Sequence, residues 1–179
     1  MIKKLRVSYT LTLTLPAVAI VAFVLLLLLL SITSLGLERA WANSMIRNLP
    51  ADDTPTRVAY DSESGYTYVT NEDSNTVSVI DGSTNTVIKN IHVGDHPHGI
   101  AFDSDNGNLY VANEDSYTVS VIDGSTNSVI RNIPVGLQPA AVAFDSASDN
   151  IYVVNQFSKT VSVIDGSTNT VVDTISVGK

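Results

Sequence analysis

The sequence predicts an all-β fold of β-propeller blades: three four-stranded antiparallel repeats of 42 residues, one extra outer strand ahead of them, and an incomplete ring. Three observations lead there. The pairs Asp81-Gly82, Asp123-Gly124 and Asp165-Gly166 recur at a constant step of 42 residues, with no insertion in either interval. Pro55, Pro97 and Pro139 keep the same register, as do Val58-Ala59-Tyr60-Asp61, Ile100-Ala101-Phe102-Asp103 and Val142-Ala143-Phe144-Asp145. Each interval holds four short segments rich in β-branched and aromatic residues and bounded by turn formers, and four strands in roughly 40 to 45 residues is the period of a propeller blade.

Residues 1–42 stand apart from the repeats. Lys3, Lys4 and Arg6 make a basic start, Ala17 to Leu30 is an unbroken apolar run, and no charge follows Arg6 until Glu38. Such a segment enters a membrane, either as a signal peptide cleaved near Ala40-Trp41-Ala42 or as an N-terminal transmembrane anchor with Trp41 at the interface. In both cases residues 43–179 are expected outside the cytoplasm.

Residues 43–54 begin the repeat region as a spare outer strand, because Asn43 to Pro50 nearly copies Asn127 to Pro134. Blades then follow at 55–96, 97–138 and 139–179. In the second blade the strands are predicted at Gly99 to Asp103, Asn108 to Asn113, Thr118 to Asp123 and Ser128 to Val135.

Side chains order the strands from hub to rim. The first strand of each blade has a small residue at its centre, Ala59, Ala101 or Ala143, as crowding near an axis requires. The fourth carries Lys89 and His92, then Arg131 and Pro134, then Asp173, and charge and proline belong on a free edge. The middle strands, such as Val77-Ser78-Val79-Ile80, are apolar on both faces and so are expected between neighbouring sheets.

Tyr68-Val69-Thr70-Asn71, the Thr-Val-Ser-Val-Ile-Asp-Gly strand and turn, and the links Val93-Gly94-Asp95-His96-Pro97 and Val135-Gly136-Leu137-Gln138-Pro139 resemble the YVTN-repeat family of β-propellers over essentially all of residues 43–179. That resemblance implies a cell-surface protein of archaeal or bacterial type, mostly a binding or adhesion module, with enzymes among related propellers. Family members usually carry about seven blades. Three leave a ring open, so the chain is expected either to close by pairing with a second copy or to be a fragment of a longer family member.

The chain has 179 residues, no cysteine and a net charge of −8. The part beyond residue 42 holds six basic and seventeen acidic side chains, a net of −11. This excludes a disulfide framework and argues against nucleic acid as a partner.

Successive antiparallel strands put the turns between second and third strands on one face with the links between blades. Loops that differ among near-identical repeats are where contacts can vary, which selects Glu72, Asp73, His96, His98, Glu114 and Asp115, with Tyr117 and Phe157 as apolar contacts. The bland alternative is a solvated acidic rim. His96, His98 and Asp95 are the candidate metal ligands, since imidazoles and a carboxylate cluster there, and a divalent metal is the one cofactor they could take; otherwise they are polar loop residues. Asp103-Ser104-Asp105-Asn106-Gly107-Asn108 looks like the start of a calcium loop but lacks the distant glutamate, and reads as a turn. There is no Gly-x-Ser-x-Gly elbow and no phosphate-cradling glycine loop. The expected role is therefore an exported, non-enzymatic binding or adhesion scaffold for a protein or glycan. A propeller-based enzyme or metal-dependent oxidoreductase, and a structural surface-layer element, are the alternatives.

Overall fold

The computed structural model describes residue 49 and residues 51–178. The expected leader and most of the spare outer strand lie outside the described residues, and residues 51–54 are not strand. Twelve strands follow: β1 (Pro55–Tyr60), β2 (Tyr66–Asn71), β3 (Thr76–Asp81), β4 (Thr86–His92), β5 (Pro97–Asp103), β6 (Asn108–Asn113), β7 (Thr118–Asp123), β8 (Ser128–Pro134), β9 (Pro139–Asp145), β10 (Asn150–Asn155), β11 (Thr160–Asp165) and β12 (Thr170–Ser176). They form three antiparallel sheets, each with its strands in sequence order. These are the three blades, and the ring they begin is not closed. Among the described residues no helix is long and apolar enough to cross a membrane.

The two middle strands of the second blade match the sequence expectation, and the outer two differ at their ends. β5 starts at Pro97, which pairs with Asn113 ahead of a register shift before Ile100; a proline can open a strand because its missing donor is not needed there. β8 stops at Pro134 although the Val135 amide still donates to the Tyr117 carbonyl at 3.0 Å in the same register, because Tyr117 belongs to the turn, at φ 56°, and not to β7.

The first strands of adjacent blades pack side by side and form the hub. At Gly99 on β5, a side-chain carbon would lie 2.8 Å from the Ala140 carbonyl oxygen and 2.8 Å from the Ala141 Cα, so only glycine lets β5 and β9 approach this closely. Between blades one and two the core joins Tyr68, Val77, Val79 and Ile91 to Ile100, Leu109, Val111 and Ile122. Between blades two and three it joins Tyr110, Ala112, Val119, Val121 and Ile133 to Ile151, Val153 and Ile164. Alternate residues of β6 and β7 thus face opposite neighbours, which is why apolar residues stand on both faces of these strands. Each fully buried side chain of this size contributes about 1.5–3 kcal/mol relative to exposure.

Polar residues of the repeat stitch the blades internally and to each other. Asn71 Nδ2 donates to Thr76 Oγ1 at 3.1 Å and Ser78 Oγ at 2.9 Å, and Asn113 and Asn155 repeat both bonds. Across the seams, Tyr68 Oη donates to Asn127 Oδ1 and Tyr110 Oη to Asn169 Oδ1, both at 2.8 Å. Burial pushes the Tyr68 hydroxyl up to about 12 and raises that of Tyr110 as well.

Candidate functional site

The links between blades and the turns between second and third strands share one face, tied backbone to backbone. Glu72 N donates to Thr54 O, Glu114 N to His96 O and Gln156 N to Gln138 O, each at 2.9 Å. Every link therefore rests on the turn of the blade that follows it.

At the seam of blades one and two this face is acidic. His96 sits in the left-handed region at φ 49°, where its amide donates to Asn75 Oδ1 at 2.9 Å. Its Nδ1 lies 2.7 Å from Asp115 Oδ2, a close approach without the alignment of a hydrogen bond. The Asp95 amide donates to Ser116 Oγ at 2.6 Å, leaving the Asp95 side chain exposed. Glu72 and Glu114 are half-buried, Asp73 and Asp115 are exposed, and Asp73 accepts from the Thr54 hydroxyl.

His98 does not join this group. It lies within β5 rather than in the link, half-buried, with Nδ1 3.0 Å from the Ala140 carbonyl oxygen of the next blade. It is a hub residue, beside a cavity of about 190 Å³ that Arg57, Gly99 and Gln156 also line. Asp95, His96 and His98 are consequently not brought together, and among the described residues no three histidine or carboxylate groups converge as a metal-holding set.

At the seam of blades two and three the same face turns apolar. Phe157 is 71% exposed, Tyr117 45% and Leu137 41%. The link that carries Leu137 bonds to both neighbours: Val135 N to Tyr117 O at 3.0 Å, and Leu137 N to Ser158 Oγ at 2.7 Å beside Phe157. Leu137 escaped the sequence-based selection, although it stands where the other repeats have Asp53 and Asp95. Tyr117 adopts φ 56°, as do Asn75 (φ 56°) and Lys159 (φ 55°) at the equivalent positions. Asparagine tolerates that region, whereas an aromatic residue is strained by about 1–2 kcal/mol there.

The opposite face, which carries the turns between first and second and between third and fourth strands, holds a larger cavity, about 420 Å³ between blades one and two. Asp61, Glu63 and Asp123 line it together with Ser64, Asn106 and Ser125. Asp61 and Asp123 are both engaged in their own turns, and hydrogen bonds led by the Ser125 hydroxyl hold the Asp123 carboxyl below its usual range. The sequence carried no signal for this cavity, because it arises between repeats.

Four-stranded blades fanning from a hub of first strands, with loops gathered on two opposed faces, define the chain as a β-propeller. It belongs to the YNCE-like beta-propeller family, whose model matches residues 40–146. Among solved structures it is similar to Kuenenia stuttgartiensis hydrazine synthase, with a TM-score of 0.63 and 24% identity over 74% of this chain and 39% of that one. It is also similar to apo AztD from Citrobacter koseri, with a TM-score of 0.60 and 18% identity over 75% of this chain and 40% of that one. At these identities the likeness is one of fold, and the chain spans about two-fifths of the length of each. No curated protein matches.

Proposed function

We propose that this chain is an exported propeller of the YVTN-repeat kind, secreted or held at the cell surface, that binds a protein or glycan without chemistry of its own. The observation that carries this reading is the exposed trio Tyr117, Leu137 and Phe157 at one seam. Aromatic side chains are enriched where proteins contact partners, and a strained exposed tyrosine is better accounted for by contact than by stability. The acidic groups Glu72, Asp73, Glu114 and Asp115, with His96, flank the trio and would set the polarity of the partner. Export rests on the basic start and apolar run of residues 1–42.

The test is binding of the full chain to glycan arrays and to isolated cell envelopes, alongside fractionation to locate it. The double variant Tyr117→Asn, Phe157→Asp installs the residues that the first repeat already uses, Asn75 and Asp73, and so keeps the fold. Binding should fall at least tenfold; full retention with an unchanged circular dichroism spectrum overturns the reading.

A second copy of the chain is proposed as a further partner. Val58 and Tyr60 are exposed on β1, and Val154 is exposed at the far side of blade three. The bond that ties one blade to the next runs from a tyrosine hydroxyl to an asparagine carbonyl. Tyr152 offers the donor at one open face and Asn85 the acceptor at the other, so two copies can meet as adjacent blades do.

A further inference from the structure

The seam of blades two and three contains two carboxylates with no counter-charge among the described residues. Asp103, at the end of β5, is fully buried; its Oδ1 accepts the Asp105 amide at 2.9 Å and the Asn106 amide at 3.4 Å, while Oδ2 has no hydrogen-bond partner among the described residues. Asp149, in the turn before β10, likewise has a buried Oδ1 without a partner. Both oxygens converge on Gly166. A side-chain carbon at Gly166 would lie 2.6 Å from Asp149 Oδ1, 2.9 Å from Asp103 Oδ2 and 3.0 Å from the Asp149 carbonyl oxygen. Among the described residues no lysine, arginine or histidine makes an ion pair with either carboxylate.

Two departures from the repeat create this arrangement. In blades one and three a serine closes the equivalent aspartate: Ser64 Oγ donates to Asp61 Oδ2 at 2.6 Å and Ser148 Oγ to Asp145 Oδ2 at 2.8 Å. In blade two that position is Asn106, which turns away and donates to the Gly166 carbonyl at 3.0 Å, freeing Asp103 Oδ2. The second departure is Asp149 itself, at φ 54°, where the other blades have Gly65 and Gly107 at φ 76° and 74°. Each change alone leaves an unmatched buried group or a strained turn. Together they place a second carboxylate beside the freed oxygen.

We propose that Asp103 Oδ2, Asp149 Oδ1 and the Asp149 carbonyl oxygen hold one hard divalent cation that clamps blade two to blade three. Oxygen-only ligands suit calcium, with water completing the shell. The carbonyl already accepts the Gly166 amide at 2.8 Å, which leaves it a second lone pair. Burial first, and then the charge of Asp149, raise the Asp103 carboxyl above its usual range, as uncompensated like charges do. Three converging oxygens are one more than a shared proton uses.

Thermal unfolding of the full chain in detergent, stripped with chelator and titrated with calcium or magnesium at constant ionic strength, tests the clamp. Terbium luminescence sensitised by Tyr110, whose hydroxyl also reaches the Gly166 carbonyl at 3.4 Å, reports occupancy directly. Calcium at about a hundredfold over Kd should raise the melting temperature by roughly 5–10 °C. Asp149→Gly, which restores the residue of the other turns and their fold, should abolish both signals, and Asn106→Ser, which recaps Asp103, should weaken them. An equal rise in wild type and Asp149→Gly would place the cation on the general acidic surface. No rise in any variant would mean that the pair carries a proton. Either result overturns the proposal.

Discussion

The tyrosine at the head of each repeat shows how one residue's worth depends on its neighbour. Tyr110 is fully buried and its hydroxyl reaches Asn169 across a seam. Tyr110→Phe should therefore destabilise the chain by about 1 kcal/mol in urea unfolding. Tyr152 holds the same place in blade three, is half-buried, and makes no such bond among the described residues. Tyr152→Phe should leave the urea midpoint unchanged at concentrations where the chain is monomeric. The repeated aspartates govern the acid response. Asp81, Asp123, Asp145 and Asp165 are all held below the usual carboxylate range, first by serine hydroxyls of their own turns. A depressed carboxylate stabilises the fold above its unfolded value and loses that contribution as pH falls through the folded one. The urea midpoint should thus drop below about pH 4. Asp103 works in the opposite sense: with its carboxyl raised, it favours the fold as pH falls through its folded value and ceases to as pH rises through it. In chelator, wild type should lose stability as pH rises from the unfolded value through the folded one, and Asp149→Gly should lose less.

At the scale of the element, the hub strands are set by how closely backbones can approach. β5 packs against β9 at Gly99, with no room for a further carbon. Gly99→Ala should cost about 1–3 kcal/mol, typical of overpacking, read as a lower urea midpoint. The rim strands obey a different rule. Ile88, Ile130 and Val172 stand at equivalent positions of β4, β8 and β12, and all are exposed, so the rim tolerates apolar residues that the charges beside them keep soluble.

For the molecule as a whole, the outer faces of blades one and three are uncovered among the described residues. Val154 is exposed on the side of blade three where its counterparts Ala112 and Thr70 are buried against the following blade. If two copies pair through that face, light scattering on dilution should show a dimer that dissociates to monomer. Val154→Arg, placing a charge against an apolar face, should shift the midpoint of that dissociation at least tenfold upward in concentration. A monomer at every concentration for the wild type would rule the pairing out.

By itself the sequence determined whatever depends on spacing within one repeat. The 42-residue step, the two middle strands of blade two to the residue, the hub-to-rim order and the sharing of one face by links and second turns all follow from alternation and turn chemistry, which act over a few residues. Part of the candidate surface was legible for the same reason, since Phe157 stands out wherever the other turns have aspartate. Only the tertiary structure decided the position of His98, the cavity lined by Asp61 and Asp123, and the meeting of Asp103 with Asp149. Each of these joins residues of different blades, and their contact is set by the tilt and closeness of packed sheets. Asn106 and Asp149 look in the sequence like ordinary turn residues, and become significant only because the fold presses the turn of one blade against the strand end of another.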